Sequence, residues 1–480
     1  MSTAYKRAKK PIIPLGTKLM YAAGSLGYCV IQQTTGGLMM YFGNVAHDVS
    51  GTLMGLAIAV GMICDAVNDP IVGHLSDRSA GALLGRRHGF MLIAVIAIPI
   101  INILLWALPE AMPAAGKFLW LMGGMALIEI FNTFFQTPYH ALGNDLTGDT
   151  RERTVMQTLK TVFFLVGMAV PTVLMAVMLP SKTDVKEYAE LAYVTSSIML
   201  VFGAAAFMGT HNQIPRLRAA AFPVKPAEAP RLKNVLGGFF AVLKIKDFRA
   251  LVIGYALATM GTAFIITIGM HLFEFTFGFS DSFGATAVLF GTMLAAAVVS
   301  QLVWARLPRL IDKKPSLILG LIIALFGLAY IAMIFVLHAY SGLVSDRPLG
   351  LLIVGMALIG FGLGANFMLP SAMLADFTQV QAARYNENRA GTYSAFMTFA
   401  YKIGQAVTSL IIGVMLDTVG FRAGTTVQSA GAGAGIGWIL VAGTGTVLVA
   451  AAVLYKRYAI RRADVPEISQ PVHDAEDEPI

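Results

Sequence analysis

Charge is scarce in this chain: Asp, Glu, Lys and Arg make up 13% of its 480 residues, against 56% hydrophobic side chains. A soluble protein of this length would not have enough polar side chains to cover its surface, so the outer surface is expected to face lipid. Cysteine is nearly absent. Cys29 and Cys64 both lie inside apolar stretches, which excludes a disulfide framework. His, Asp and Glu groupings with metal-ligand spacing are missing, as is any nucleophile motif, so neither an enzyme nor a bound cofactor is expected. Long basic patches are missing too. The formal charge of +8 is spread over short segments between apolar runs, where topology requires it, so nucleic acid is not expected as a partner.

What is present fits a lipid-embedded helical bundle. Mean hydropathy is +0.70, and 48 glycines and 25 methionines suit tightly packed helices with some adaptable lining. A spanning helix needs about 20 mostly apolar residues. On that criterion spans fall at Leu19–Phe42, Thr52–Leu75, Phe90–Leu108, Phe118–Leu142, Val155–Leu179 and Leu191–Gly209. Further spans fall at Phe248–Phe275, Ala285–Leu307, Ser316–Leu337, Gly350–Ala375, Thr392–Leu416 and Ile436–Tyr455. The fold class is thus an all-α membrane protein of about twelve transmembrane helices in two pseudo-symmetric six-helix bundles. Residues 1–210 form the first bundle, 211–247 a Pro-, Arg- and Lys-rich cytoplasmic linker, 248–456 the second bundle, and 457–480 a disordered acidic cytoplasmic tail. Lys6, Arg7, Lys9 and Lys10 precede an apolar stretch longer than a signal-peptide core, with no small-residue cleavage site, so the first span is read as retained. The Lys and Arg bias of the loops places both termini in the cytoplasm, and the chain is expected to be multi-pass in the inner (plasma) membrane. The chain is expected to act as a monomer.

A charge at bilayer depth costs about 2.5–3.5 kcal/mol on insertion scales, so each one in a span asks for a reason. Asp65, Asn68 and Asp69 lie in the second span at i, i+3 and i+4, on one helical face. Two carboxylates so close repel unless a cation or a shared proton lies between them, and hard oxygen ligands suit a small alkali cation. Pro70 adds to the site by removing a backbone hydrogen bond from the carbonyl of Ala66. The competing reading is a structural pair bridging a loop arginine. Lys402, alone in the eleventh span, is the natural acidic partner-seeker, either coupling ion occupancy to the conformational state or pinning the halves. In the fourth span Thr133, Gln136 and His140 share a face that Glu129 extends, and Tyr28, Gln32 and Thr35 make a similar stripe in the first. Such stripes line an internal cavity or serve as interhelical hydrogen-bond glue. In the loops, Asp77, Arg78, Arg86, Arg87, Asp149, Arg151 and Arg153, with Asp376 and Arg389 near the tenth span, are positioned to form a cytoplasmic gate of ion pairs.

Together these segments resemble a known family. Asp65-Ala-Val-Asn68-Asp69-Pro70-Ile-Val-Gly73 with Ser76-Asp77-Arg78 and Gly85-Arg86-Arg87 is similar to the second-span signature of the glycoside–pentoside–hexuronide:cation symporters of the major facilitator superfamily. Pro138-Tyr139-His-Ala141-Leu142 with Asp149-x-Arg151-Glu152-Arg153 resembles the fourth-span signature, and Asp376 and Lys402 match later landmarks. The resemblance implies a major facilitator fold and a cation-coupled symporter of a small-molecule substrate. It places Na+, with H+ or Li+ as alternatives at the same carboxylates, on Asp65, Asn68, Asp69 and Thr133. It carries substrate-binding positions onto Cys29, Gln136, His140, Lys160 and Phe367, beside the Tyr28 and Gln32 stripe. There the pattern departs: cysteine and glutamine stand where the family has carboxylates, histidine stands for the stacking tryptophan, and lysine stands for arginine. A galactoside is therefore not expected. A different glycoside, or an amphipathic lysophospholipid of the kind moved by a eukaryotic branch, is.

Overall fold

The computed structural model describes residues 13–79, 84–85, 87–147, 149–215, 242–279, 283–385 and 390–464. Twelve long helices account for nearly all of them. In the first half they are α1 (Leu15–Tyr41), α2 (Gly51–Arg78), α3 (His88–Trp106), α4 (Ala114–Asp145), α5 (Thr150–Met178) and α6 (Val185–His211). In the second half they are α7 (Lys246–His271), α8 (Gly284–Trp304), α9 (Lys313–Val336), α10 (Leu349–Tyr385), α11 (Ala390–Thr418) and α12 (Ala430–Lys456). Eleven of these, α2 to α12, are long and apolar enough to cross a membrane. α1 matches them in length but dilutes its apolar run with Gln32, Gln33, Thr34 and Thr35. Side chains begin several of the helices: Ser50 accepts from Leu53 N at the start of α2, Asp184 from Lys186 N at α6, and Ser429 from Ala432 N at α12. The linker expected at 211–247 lies for the most part outside the described residues.

The two halves repeat one packing scheme. α1 packs on α5 and α6, α2 on α4, and α3 on α4 and α6; shifted by six helices, α7 packs on α11 and α12, α8 on α10, and α9 on α10 and α12. α1 and α7 each end in a wider π turn, Phe42–Ala46 and Leu272–Thr276. Across the interface α2 lies against α11 and α5 against α8, contacts that the same shift exchanges. That is the signature of a pseudo-two-fold bundle pair.

The two ends of the bundle differ. At the end away from the chain termini, the far end, the halves are tied together. Lys182, between α5 and α6, pairs with Glu274 of the π turn after α7 at 3.2 Å, both side chains being about 5% exposed or less. Tyr41 of α1 donates to the same carboxylate, and Lys182 also donates to the carbonyl of Phe279. Asp417 at the end of α11 accepts from Gly51 N and Thr52 N, each at 2.8 Å, capping α2 from the opposite half. Gly51, Gly55 and Gly413 bring α2 and α11 so close that an added Cβ would strike the facing backbone. At the terminal end the ion pairs Lys18–Glu152, Arg87–Asp77, Arg87–Asp145 and Lys313–Asp376 each join helices of the same half.

Candidate functional site

α2 and α4 run parallel with their polar faces in register. Thr133 donates to Asp65 Oδ1 at 2.6 Å, and four residues on, Thr137 donates to Asp69 Oδ1 at 3.3 Å. Between these rungs Asn68 Nδ2 donates to the Ile130 carbonyl at 3.1 Å, which leaves its Oδ1 as an acceptor. Gly61, pressed against Met125, lets the helices approach closely enough for these short side chains to meet. α2 runs unbroken through Pro70.

Lys402 of α11 reaches in from the other half. Its ammonium lies 2.7 Å from Asp65 Oδ2 and 2.6 Å from Asp69 Oδ2. One lysine thus bridges both carboxylates of the opposite bundle, as the expected acid–lysine meeting required. A third acid, Glu129, is buried one turn from Thr133 and interacts electrostatically with Asp65 and Lys402. Thr137 and Glu129 were not among the expected ligands, though both fall on the stripe that holds Thr133. Two carboxylates so close together, with a third acid one turn away, form a set of hard oxygen ligands that suits a small cation.

The expected substrate positions on α1, α4 and α5 come together in the first half, while Phe367 belongs to α10 of the second. His140 Nδ1 and Lys160 Nζ are 3.0 Å apart, and the Tyr28 ring stands edge-on to His140 at 6.0 Å between centroids. Cys29 Sγ points at the Phe164 carbonyl, and Gln32 and Gln136 are half-buried nearby on α1 and α4. The Thr35 hydroxyl is buried and bonds back to its own helix at Ile31. A cavity of about 700 Å³ opens in the second half, lined by Tyr255, Ser371, Thr378, Ser394, Thr398 and Tyr401 among others. It reaches the first turns of α11, at the terminal end. Phe367, one turn before Ser371, is 56% exposed. Sequence reasoning missed this hydroxyl-rich wall.

The gate residues divide. Arg87 binds Asp77 at 2.6 Å, Asp145 at 3.2 Å and Ser76 at 2.8 Å, tying α2, α3 and α4 together. Asp149 caps α5 through Glu152 N, Arg153 donates to the Thr147 carbonyl, and Asp376 binds Lys313. Arg86 and Arg389, with the side chains of Arg78 and Arg151, lie outside the described residues. The described ties between the halves sit instead at the far end and at Lys402. Lys182 is the centre of one of them.

Two pseudo-symmetric six-helix bundles, tied at one end and meeting at an acidic site that a lysine of the opposite half enters, define a multi-pass membrane transporter of the alternating-access kind. The chain belongs to the MFS/sugar transport protein family, whose model matches residues 20–462. It is 23% identical to the uncharacterized symporter sll1374 of Synechocystis sp., over 85% of this chain and 86% of that one. It is 22% identical to the sodium-dependent lysophosphatidylcholine symporter 1-A of Danio rerio, over 88% and 82% respectively. Its fold is similar to that of a bacterial homolog of the human lysosomal transporter Spinster in an inward-facing and unoccupied conformation, with a TM-score of 0.67 at 15% identity over 93% of this chain and 97% of that one.

Proposed function

We propose that this protein is a cation-coupled secondary symporter that moves Na+ together with a glycoside-like or amphipathic small molecule by alternating access of its two halves. One observation carries the reading: Lys402 of the second half sets its ammonium between Asp65 and Asp69 of the first. Carboxylates at this depth require positive charge. In the far-closed disposition the lysine supplies it. Na+ held by Asp65, Asn68, Asp69 and Thr133 supplies the same charge from hard oxygen ligands, and it loosens the tie that Lys402 makes across the interface. Ion occupancy then shifts the balance between two dispositions of the halves, which is what coupling requires. The choice of Na+ over H+ is supported by the relative whose name is sodium-dependent.

In this reading the Lys and Arg bias puts the far end on the extracytoplasmic side and both termini in the cytoplasm, and the chain acts in the plasma membrane. Residues 1–210 and 248–456 are the moving units, with 211–247 as their connection and 457–480 as a tail. The reading needs no catalytic group. Thermal unfolding of the purified protein in matched NaCl, LiCl and KCl tests it. Na+ is expected to raise the wild-type midpoint, and Asp65→Asn and Asp69→Asn to remove the increment. An undiminished Na+ increment in both variants would sink the cation-site assignment.

A further inference from the structure

At the terminal end of the first half, Lys18 is paired with Glu152 and Arg87 with Asp77 and Asp145. The second half differs. Arg306 and Arg309 lie in the turn between α8 and α9, and Arg457, Arg461 and Arg462 in the stretch after α12. All five are exposed, and among the described residues none of them forms an ion pair. The acids of the same two stretches, Asp312 and Asp464, turn to the backbone instead. Asp312 accepts from Lys313 N at 2.6 Å and from Arg462 N at 3.1 Å, and Asp464 accepts from Arg461 N at 2.7 Å.

The fold gathers these cations. The stretch after α12 crosses the starts of α7 and α9: Ala459 N donates to Asp247 at 2.7 Å, and Lys314 Nζ to the Tyr458 carbonyl at 3.0 Å. Tyr458, buried beneath it, donates to the Met373 carbonyl of α10 and pins the stretch in place. Topology requires cations at this end of the spans, but not that segments 144 residues apart bring them together. Apolar side chains stand beside them. Leu310, in the short helix Pro308–Ile311, is 82% exposed, a position unfavourable in water and favourable at the acyl boundary of a leaflet. Within about two turns of the cations, Leu302 and Val303 on α8, Leu319 and Ile322 on α9 and Val453 on α12 also face outward.

We propose that this face of the second half binds an anionic phospholipid of the adjoining leaflet. The phosphate lies between the α8–α9 turn and the stretch after α12, and the acyl chains run along the outward apolar side chains, with Leu310 at the boundary. Arginine suits the phosphate because its forked donors hold two oxygens at once. The lipid supplies the counter-charge that the fold leaves out, and each cation near the surface adds about fivefold to the affinity for an anionic headgroup. A soluble phosphate has nothing to lay against Leu310 and the helix faces below it. The surface shares no residue with the cation site or with the positions gathered on α1, α4 and α5.

The test uses the full-length protein in detergent, with bound lipids counted by native mass spectrometry. It is titrated with palmitoyl-oleoyl phosphatidylglycerol or with the phosphatidylcholine of the same chains. The first phosphatidylglycerol is expected to bind about tenfold or more tighter than phosphatidylcholine. Arg309→Gln combined with Arg462→Gln should lower that ratio about fivefold or more, and Arg309→Lys with Arg462→Lys should keep most of it. Lys186→Gln, at the exposed far end, should leave it unchanged. Unaltered melting midpoints report that the variants are folded. A preference that the double glutamine variant retains overturns the proposal. So does displacement of the lipid by glycerol phosphate at equal concentration, which marks a site for soluble phosphates. Equal binding of the two lipids overturns it as well, whether the acidic residues from Glu467 to Glu478 hold the arginines or nothing does.

Discussion

Thr133 shows how much of the site depends on one oxygen. Its hydroxyl has a single proton and two acceptors within reach, Asp65 Oδ1 at 2.6 Å and the Glu129 carbonyl at 3.1 Å. With the proton on Asp65 the group is a donor to the carboxylate. With the proton turned to its own helix, both lone pairs face the acidic pair and serve as a cation ligand. Thr133→Val keeps the shape and removes the oxygen. We expect it to weaken Na+ affinity by about tenfold, on the scale of one hydrogen bond to a charged group, with Thr133→Ser restoring most of the loss. Na+ titration followed by thermal shift decides it, and unchanged affinity in the valine variant would exclude Thr133 as a ligand. The acidic face was legible because Asp65, Asn68 and Asp69 stand on one helix, where spacing alone aligns them. Thr137 and Glu129 were not, because their role depends on the register between α2 and α4, which no single-helix period contains.

At the scale of elements, hydropathy located each span but understated several helices. α10 was expected at Gly350–Ala375 and runs from Leu349 to Tyr385. The criterion stops where apolar residues stop, whereas the helix continues into the polar Thr378, Gln379 and Gln381, which line or flank the cavity. Helix contact was the less visible property. On α9 Gly320 and Gly327, and on α10 Gly355 and Gly362, recur at seven-residue spacing. A Cβ added at Gly362 would meet the Gly320 backbone and Ala324. Small residues permit backbone approach where lipid offers no hydrophobic drive for association. Gly362→Leu should therefore separate α9 from α10, with an overpacking cost of about 1–3 kcal/mol, and lower the melting midpoint in detergent. Gly291→Leu, with open space around the new side chain, should leave the midpoint nearly unchanged. Equal midpoints for the two variants would show that the glycine contact does not hold the pair together.

The molecule as a whole is legible in its twelve-helix count and its doubling, yet the device that holds its far end shut was not. Lys182 and Glu274 lie 92 residues apart; Lys182, between α5 and α6, looks like an ordinary loop charge, and Glu274, at the very end of the span expected at Phe248–Phe275, looks like a charge at a helix end until the halves meet. The arginine-rich loops drew attention to the opposite end, where the described pairs stay within a half. The far-end pair is buried, and removing one member of a buried pair costs about 3–5 kcal/mol because the other charge remains without compensation. That cost falls on the far-closed disposition alone, since opening returns Lys182 to water. Glu274→Gln should accordingly shift the equilibrium toward far-open molecules by roughly a hundredfold or more. Spin labels at the exposed far-end positions Glu110 and Arg422, one on each half, report the change as a longer distance population. Adding Lys182→Met to Glu274→Gln removes the stranded ammonium and should return much of the population to the shorter distance. If Glu274→Gln leaves the distance distribution as in the wild type, the buried pair does not govern far-end closure, and the Asp417 cap with the Gly51–Gly413 contact must carry it instead.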